Sequence, residues 1–289
     1  MQAQQVSPIV ALVTPALLAL GLSASCASVT TAETNDEQPS GWTGVLSETE
    51  FASLHEHSDR EEPPRRGAEI DVGGTRAYLS LPEGFEAPIP GVIVIHEWWG
   101  LNEHIMHWTD RLAANGYAAL AVDLYGGEVA TTREDAMRLV KSVDKDDAIE
   151  ALRNAHRFLR EDQRIQAPTT ASIGWCFGGG YSLTLALNEP ELDACVLYYG
   201  RLVTDVDQLA SIEADVLGIF GSRDQSIPLD RVADFDEALA AAGKSHEIRM
   251  YDAEHAFANP SSARYSQDFA AAAWDEVRTF LARNLRGTP

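Results

Sequence analysis

The sequence predicts an α/β fold, with a mostly parallel central sheet and helices on both of its faces. Strand-like and helix-like segments alternate from residue 68 onwards, which is typical of sheets whose strands are joined by crossover helices. Residues 91–96 form a continuous apolar run, as expected of a strand buried on both faces. Residues 173–180 place several glycines between a β-prone segment and a helix-prone one.

The individual elements follow from this pattern. Residues 68–72 and 75–81 alternate about a Gly-Gly pair, which predicts a hairpin. Further strands are predicted at residues 91–96, 117–122, 170–173, 194–199, 215–220 and 246–251. Helices are predicted at residues 102–115, across 133–160 as one long or two shorter helices, and at 181–187, 229–242 and 265–284.

The first 26 residues have the composition of an export leader. They contain an apolar run, interrupted by Pro15 and too short to span a bilayer, and end in Ser-Ala-Ser-Cys. This leader resembles a bacterial lipoprotein signal, so we expect export to the periplasm or cell envelope, with Cys26 as the candidate lipidation site. The absence of Lys and Arg from residues 1–7 departs from such signals and leaves a disordered apolar leader as the alternative.

Residues 27–66 are predicted to be an acidic, polar tether, because they are rich in Ser, Thr, Glu, Asp and Pro. A few apolar side chains are expected to pack onto the domain as a short segment: Trp42, Val45, Leu46 and Phe51. Residues 67–289 are expected to form the folded domain.

The charge balance is strongly acidic. The chain of 289 residues carries 44 Asp and Glu against 22 Lys and Arg, a formal net charge of −22. Such a charge disfavours binding to nucleic acid or to an anionic membrane through bulk electrostatics. Since 45% of the residues are hydrophobic, the chain can still bury a sizeable core. We therefore expect a soluble monomer that acts on a small molecule.

Three cysteines do not make a disulfide framework. Cys195 opens a predicted strand, whereas Cys176 follows the end of another. In a parallel sheet these ends lie a strand length apart, roughly 15 Å, while a disulfide needs Cα atoms within about 7 Å. Cys195 is therefore predicted to be a core thiol.

Cys176 lies at the centre of the glycine-rich stretch, in the pattern Gly-X-nucleophile-X-Gly. Such a turn forces the nucleophile into a strained backbone conformation, and Gly174 and Gly178 remove side chains where the turn is tightest. At the N-terminus of the following helix the dipole favours a thiolate, as does a nearby histidine. The alternative is a buried structural thiol, since free cysteine is among the most buried residue types.

Two candidate partners, Asp224 and His255, each come directly after a predicted strand. The carboxyl ends of parallel strands gather at one edge, and the order nucleophile, acid, histidine is that of hydrolases with this turn. His255 is expected to take the thiol proton or hold the thiolate as an ion pair, and Asp224 to orient the imidazole. Asp252 and Glu254 are rival orienters. A surface histidine and a turn aspartate are the ordinary alternatives.

A third strand end, at residues 96–100, carries His-Glu-Trp-Trp-Gly. The backbone N–H of Trp98 is predicted to supply one half of an oxyanion hole, and the N–H of Phe177 the other half. Glu97 places a carboxylate at the same edge of the sheet.

With these residues the chain resembles the dienelactone hydrolase family of the α/β-hydrolase superfamily. The motifs are His-Glu-Trp-Trp-Gly at 96–100, Asp-Leu-Tyr at 123–125, Gly-Trp-Cys-Phe-Gly-Gly at 174–179, Gly-Ser-Arg-Asp at 221–224 and Glu-His-Ala-Phe at 254–257. The resemblance runs from about residue 68 to residue 285 and implies the α/β-hydrolase fold.

The resemblance also implies roles for single residues. The Cys-Asp-His triad of the family falls on Cys176, Asp224 and His255, and its glutamate falls on Glu97. In the family this glutamate pairs with the resting thiol and moves when substrate arrives, so that the cysteine is activated on binding. Tyr125 matches a tyrosine that lines the substrate pocket.

Two positions depart from the family pattern. The type enzymes hold the substrate carboxylate with two arginines, where this chain has Gly127 and Asn259. Neither can supply a guanidinium, the group that binds a carboxylate bidentately, although Arg201 and Arg264 could approach from elsewhere. The resemblance therefore implies ester or lactone hydrolysis, but not dienelactone itself as the substrate.

A bulkier and more apolar acyl pocket is predicted instead. Its expected lining residues are Trp98, Trp99, Tyr125, Trp175, Phe257 and Asn259. Ordinary core packing is the alternative for the aromatic side chains, and above all for Trp175.

The sequence thus predicts a carboxylic ester hydrolase that cleaves small esters or lactones through an acyl-enzyme on Cys176. No metal or organic cofactor is implied, since metal-binding spacings such as C-x-x-C and H-E-x-x-H are absent. His104 and His107, near Glu103, are expected to be polar surface residues of a helix rather than metal ligands. The alternatives are a binding or surface protein without turnover on a hydrolase scaffold, and a peptidase or acyltransferase with the same triad.

Overall fold

The structure, a computed structural model, describes residues 48–53 and 65–286. The leader at residues 1–26, its candidate lipidation site Cys26 and most of the tether, including Trp42, Val45 and Leu46, lie outside the described residues. Export and lipidation stay predictions. Among the residues that are described, no helix is both long and apolar enough to cross a bilayer.

In the described part of the chain one sheet holds eight strands in the order β1-β2-β4-β3-β5-β6-β7-β8. The strands are β1 (Ala68–Val72), β2 (Thr75–Ser80), β3 (Gly91–Ile95), β4 (Ala118–Val122), β5 (Thr170–Trp175), β6 (Ala194–Tyr198), β7 (Asp215–Gly221) and β8 (His246–Tyr251). The predicted hairpin β1–β2 pairs antiparallel, and β2 joins β4 antiparallel. The pairs from β4 through β3 to β8 are parallel, so the predicted sheet type is confirmed.

Helices cover both faces of this sheet. They are α1 (Glu48–Ser53), α2 (Glu103–Ala114), α3 (Arg133–Ser142), α4 (Lys145–Glu161), α5 (Phe177–Asn188), α6 (Val206–Leu209), α7 (Leu229–Ala241) and α8 (Gln267–Arg286). One core layer lies between the sheet and α2 and α8, and the other between the sheet and α4, α5 and α7. Along β3, Val92 and Val94 enter the first layer while Ile93 and Ile95 enter the second, which explains the continuous apolar run.

The stretch at residues 133–160, left open between one helix and two, contains two helices. α3 ends at Ser142, and Val143 is extended, with a ψ of 119°. Asp144 then caps α4, because its Oδ1 accepts hydrogen bonds from the N–H groups of Asp146 and Asp147 at 2.8 and 3.1 Å. A capping aspartate in the middle of a helix-prone stretch is therefore what divides it.

Phe51 packs onto the domain, as expected from the sequence. Its side chain on α1 is fully buried, and its ring centroid lies 4.5 Å from that of Trp108 on α2. The guanidinium carbon of Arg111 lies 4.5 Å from the same ring, a cation–π contact. The end of the tether is thereby part of the core cluster that contains α2 and α8.

Two histidines of α2 are buried, contrary to the expectation that they lie on the surface. His104 and His107 are 7% and 1% exposed, and the Phe51 ring centroid lies 6.3 Å from that of His104. The sequence showed α2 as amphipathic, but it could not show that α1 covers part of its polar face. Within residues 48–53 and 65–286, no group of three or more His, Cys, Asp or Glu is arranged to hold a metal ion.

Candidate active site

Cys176 occupies the turn between β5 and α5. Its backbone has φ 53° and ψ −112°, a left-handed conformation that is strained for a residue with a side chain. The conformation is held by a hydrogen bond from the Cys176 N–H to the Tyr198 carbonyl at 3.0 Å, and by one from the Gly180 N–H to the Cys176 carbonyl at 3.2 Å. The residue is half-buried, so its thiol lies within reach of a ligand.

Two glycines let α5 approach the sheet at this turn. A Cβ on Gly178 would lie 2.2 Å from the carbonyl oxygen of Ile95, and a Cβ on Gly174 would lie 2.2 Å from the carbonyl oxygen of Gly178. Neither distance is sterically possible, so both positions require glycine. The close approach places the end of β3, where the loop at 96–100 begins, directly against the first turn of α5.

His255 and Asp224, from the ends of β8 and β7, meet beside this turn. His255 Nδ1 lies 2.7 Å from Asp224 Oδ2, and Asp224 is almost completely buried. The other carboxylate oxygen of Asp224 accepts hydrogen bonds from the N–H groups of Ser226 at 2.7 Å and Ile227 at 3.1 Å. Because Asp224 accepts a hydrogen bond from Nδ1–H, the Nε2 atom of His255 is left available to the neighbouring Cys176 side chain.

The surroundings of His255 favour its protonated form. Burial by itself lowers the pKa of this imidazole, but the hydrogen bond to Asp224 and the nearby Cys176 side chain outweigh burial and raise it to about 10. At neutral pH His255 is thus an imidazolium between a carboxylate and a thiol.

The two rival orienters of His255 point elsewhere. Asp252 pairs with Arg223 at 3.2 Å, and Glu254 pairs with Arg264 at 3.2 Å. All four side chains are largely exposed. Asp224 is therefore the carboxylate that the structure brings to His255.

The residues predicted to form an oxyanion hole lie at the same junction. Phe177 is the first residue of α5, so its N–H has no partner within the helix. The described residues contain no acceptor for the Trp98 N–H, while the Trp98 carbonyl accepts a hydrogen bond from Tyr125 Oη at 3.3 Å. The ring of His96 stacks on that of Phe177 with centroids 5.6 Å apart, which holds the loop at 96–100 against α5.

His96 is a residue of the site that the sequence did not single out. Its Nδ1 lies 2.6 Å from the Glu97 carbonyl oxygen, and its Nε2 accepts a hydrogen bond from the Leu124 N–H at 3.1 Å. These bonds require the neutral tautomer with the proton on Nδ1, and burial lowers the pKa of His96 accordingly. Its place at the end of a fully apolar strand was the available signal, because a histidine there must be hydrogen-bonded.

Glu97 lies in the site, although its partner is not the one implied by the family resemblance. Its Oε2 accepts a hydrogen bond from Asn259 Nδ2 at 2.5 Å, and its Oε1 has no hydrogen-bond partner among the described residues. Neither oxygen of Glu97 is hydrogen-bonded to the Cys176 thiol in the described residues, so the resting pair implied by the resemblance is not formed in this structure. Burial raises the pKa of Glu97 to about 7, against the opposing effects of the nearby His255 charge and the Asn259 hydrogen bond.

The ring of Tyr125 packs against that of Phe177, the residue after Cys176, with centroids 5.4 Å apart, and its place in a substrate pocket stays a prediction. Burial, together with the charge of Cys176, raises the pKa of its hydroxyl well above the ordinary value. Asp123 holds this loop, since its two oxygens accept hydrogen bonds from the N–H groups of Tyr125 at 2.9 Å and Gly127 at 2.7 Å. The backbone of Gly127, rather than a side chain, thus makes the contact at that position.

Two predicted pocket residues belong to the core instead. Trp175 is 1% exposed, and its ring lies between those of Trp108 and Tyr198, with centroids 4.8 and 5.6 Å away. Phe257 is fully buried and packs on Tyr199, at a centroid distance of 5.7 Å. A side chain without exposed surface cannot line an open pocket, so the pocket assignment of these two rings is wrong.

The remaining predicted pocket residues divide between surface and interior. Trp98 and Trp99 are partly exposed and pack edge to face, with ring centroids 5.0 Å apart, next to Tyr125 and Phe177. Asn259 is 5% exposed and is occupied by its bond to Glu97. The tryptophan pair is therefore the apolar surface that the loop at 96–100 offers beside Cys176.

Sequence comparisons match the chain to proteins of one family. The model of the dienelactone hydrolase family matches residues 75–285. A Yersinia pestis protein provisionally named carboxymethylenebutenolidase is 31% identical over 244 residues, which cover 79% of this chain and 89% of that protein. A Methylorubrum extorquens protein with the same provisional name is 33% identical over 221 residues, covering 71% and 75% of the two chains.

Solved structures agree with these relatives. The crystal structure of a provisionally assigned dienelactone hydrolase from Klebsiella pneumoniae superposes with a TM-score of 0.70 at 30% identity, covering 75% of this chain and 98% of that one. This likeness confirms the α/β-hydrolase fold. An acylaminoacyl peptidase superposes with a TM-score of 0.62 at 17% identity, a likeness that extends to the fold alone.

Proposed function

The chain belongs to the dienelactone hydrolase family, and from this premise we propose that it hydrolyses small carboxylic esters or lactones through an acyl-enzyme on Cys176. The observation that carries the proposal is the Asp224–His255 hydrogen bond beside Cys176, which lies on a strained turn at the carboxyl edge of the sheet. A nucleophile, a base and an orienting acid in that relation are the parts that acyl transfer requires.

In the proposed acylation step the Cys176 thiolate attacks the carbonyl carbon of the ester. The carbonyl oxygen becomes an oxyanion, which accepts hydrogen bonds from the N–H groups of Trp98 and Phe177. When the C–O bond breaks, His255 gives its Nε2 proton to the departing alkoxide. The products of this step are an alcohol, which stays attached if the substrate is a lactone, and a thioester on Cys176.

In the proposed deacylation step His255 changes its role. The acylated sulfur carries no negative charge, so the part of the raised His255 pKa that comes from Cys176 is lost. The imidazole, which became neutral when it gave its proton to the alkoxide, therefore stays neutral and accepts a proton from a water molecule that attacks the thioester. Collapse of the second oxyanion releases the carboxylic acid and returns the thiolate, with His255 protonated as before.

The charges near the site favour substrates without a carboxylate. Asn259 and Gly127 occupy the positions at which the type enzymes carry arginines, and Asn259 is already bonded to Glu97. Arg264 is exposed and paired with Glu254, so it is not directed to the thiol. We therefore propose neutral esters and lactones as the substrate class, with the Trp98–Trp99 pair as the apolar contact.

The proposal is tested by the hydrolysis of p-nitrophenyl acetate by the wild type and by Cys176→Ala. We expect the variant to lose at least about a thousandfold in kcat/KM, because the covalent route is removed. Cys195→Ala is the matched control, since that thiol is fully buried and lies in the core of β6. Equal rates for Cys176→Ala and the wild type would end the proposal, and a panel of esters, lactones and amides distinguishes an esterase from a peptidase or acyltransferase.

We also propose, from the sequence of the leader, that the protein is exported and that Cys26 is its lipid anchor. Cell fractionation of the wild type and Cys26→Ala tests this. Release of the variant, but not of the wild type, from the membrane fraction supports the anchor, whereas a cytoplasmic wild type contradicts export.

A further inference from the structure

We propose that His96 is a positioning residue, which holds the peptide unit between Glu97 and Trp98 so that the Trp98 N–H stays available to the oxyanion. The inference rests on the proposed hydrolytic function and on its oxyanion hole. His96 acts through the backbone of its neighbours and does not touch the reacting atoms.

The imidazole of His96 joins the loops that follow two paired strands, β3 and β4. Its Nδ1 lies 2.6 Å from the carbonyl oxygen of Glu97, and its Nε2 lies 3.1 Å from the backbone nitrogen of Leu124. A carbonyl needs a donor and an N–H needs an acceptor, so Nδ1 carries the ring proton and Nε2 accepts. Because His96 is fully buried, water cannot replace either bond.

The bond to Glu97 determines where the Trp98 N–H points. The Glu97 carbonyl and the Trp98 N–H belong to one peptide unit, which is planar and trans, so the two groups point in opposite directions. While the Nδ1–H of His96 holds this carbonyl, a rotation of the peptide unit would break a buried hydrogen bond. The bond also polarises the peptide unit, which makes the Trp98 N–H a stronger donor.

The following residues of the loop are held through their carbonyl groups as well. The Trp98 carbonyl accepts a hydrogen bond from Tyr125 Oη at 3.3 Å. The Trp99 carbonyl accepts one from the Ala130 N–H at 2.9 Å. The N–H of Trp98, by contrast, has no acceptor within residues 48–53 and 65–286. The loop therefore keeps this donor open for an acceptor that comes from outside the chain.

His96 also contacts the helical turn that carries the second donor of the oxyanion hole. Its ring stacks on that of Phe177, with centroids 5.6 Å apart and planes 13° apart. Its carbonyl oxygen lies so close to Gly178 that a Cβ there would be 2.5 Å away. The two proposed donors, the N–H groups of Trp98 and Phe177, are thus held relative to each other through one side chain.

Three substitutions of His96 separate its two hydrogen bonds. His96→Asn places a donor, Nδ2, where the imidazole has Nδ1, and so keeps the Glu97 bond. His96→Gln carries its amide one bond farther along the side chain, where Oε1 can accept from Leu124 but the Glu97 bond is lost. His96→Leu fills the space with neither bond, and it carries the test if His96→Gln does not fold. All three variants lose the ring that stacks on Phe177, so this loss does not distinguish them.

The first measurement is the hydrolysis of p-nitrophenyl acetate by the full chain, below the melting temperature of each variant. In His96→Gln and His96→Leu we expect kcat/KM to fall about a hundredfold, the effect of losing one oxyanion-hole donor. In His96→Asn we expect it to stay within about fivefold of the wild type, because the donor is still oriented.

Alkylation of Cys176 by iodoacetamide is the control, followed at neutral pH by mass spectrometry of the peptide that contains it. The sulfur displaces iodide from a saturated carbon, so no oxyanion forms in this reaction. In all three variants the rate is expected to stay within about twofold of the wild type, because the thiol and its surroundings are unchanged. A general disturbance of the site would slow alkylation and hydrolysis together.

The inference is overturned by any of three outcomes. Ester hydrolysis by His96→Gln and His96→Leu near the wild-type rate would show that the peptide unit is held without this side chain. An equal loss in His96→Asn would show that the Glu97 bond is not responsible, and a parallel loss of alkylation would show a structural effect. The proposed hydrolytic function fails by a different result, continued ester hydrolysis by Cys176→Ala, so the two ideas can fail separately.

Discussion

His255 holds the proton on which both halves of the proposed reaction depend. Acylation requires the protonated imidazole, because a departing alkoxide must receive a proton, and the pKa of His255 in the free protein is raised to about 10. The proton is present below that pH and is lost as pH rises through it. We therefore expect kcat/KM for an alkyl ester, followed in a pH-stat, to fall above about pH 10, by tenfold for each further unit.

A leaving group that needs no proton is the control for this pH dependence. p-Nitrophenolate leaves unprotonated in that range, so kcat/KM for p-nitrophenyl acetate is expected to stay level where that for the alkyl ester declines. Parallel declines for both esters would show that the alkaline limb comes from unfolding or from another group. No decline for either would show that His255 is not the proton donor.

At the scale of residues, the sequence was informative about reactive side chains that come directly after a predicted strand. Cys176, Asp224 and His255 could be singled out because the carboxyl ends of parallel strands converge, whatever the details of packing. The Asn259–Glu97 bond could not be foreseen, since it joins residues 162 positions apart through side-chain rotamers. Trp175 was misassigned because closeness in sequence to Cys176 does not determine which face of the sheet its ring enters.

At the scale of elements, the turn between β5 and α5 depends on the absence of side chains at its glycines. Gly178→Ala would place a Cβ 2.2 Å from the Ile95 carbonyl oxygen, and this backbone contact can be relieved only by moving α5 away from β3. We expect a loss of about 3 kcal/mol in the free energy of unfolding, or roughly 6–12 °C in Tm by thermal denaturation, together with loss of esterase activity.

Gly180→Ala, on the same helix, is the matched control. Its Cβ would lie 3.2 Å from the Cβ of Arg201 and 3.3 Å from the Arg201 backbone nitrogen, contacts that a shift of a few tenths of an ångström relieves, and alanine has the higher helix propensity. The free energy of unfolding is expected to change by less than about 1 kcal/mol. If both variants unfold at the wild-type temperature, the close contact between α5 and β3 does not limit stability.

The elements themselves were largely predictable because they carry local signals. β8 has the bounds expected for it, and the bounds of β3, β4, β6 and β7 lie within a residue of those expected. The division between α3 and α4 was undecided in the sequence, since a central aspartate can either cap a helix or lie on its solvent-facing side. Only the hydrogen bonds of Asp144 to the first turn of α4 decide between these.

At the scale of the whole molecule, Phe51 connects the described end of the tether to the core of the domain. It packs against Trp108 and Arg111. We expect Phe51→Ala to lower the free energy of unfolding by about 3 kcal/mol or more, measured by denaturant titration with unchanged m-value. Leu229→Ala is the control, because that side chain is 54% exposed and is expected to contribute less than about 1 kcal/mol. Equal effects would mean that α1 is not part of the cooperative unit.

The net charge of −22 has a consequence for the stability of the molecule as a whole. With 44 acidic against 22 basic side chains, half of the negative charge is not balanced by positive charge, and the repulsion among the acidic groups opposes the compact state. Salt also screens the attraction within the ion pairs, and this screening lowers the stability. Most of these pairs are exposed, however, and such pairs contribute about 0–1 kcal/mol each. Screening of the repulsion is therefore expected to prevail.

We accordingly expect Tm at pH 7 to rise as NaCl is increased from about 10 mM to 500 mM, over which the screening length falls from about 30 Å to about 4 Å. The control is the same titration near the sequence pI of about 4.6, where the net charge is small and the rise should vanish or reverse. A Tm that falls with salt at pH 7 would mean that attractive ion pairs, such as those that join Glu247 to Arg249 and Arg283, outweigh the excess of negative charge.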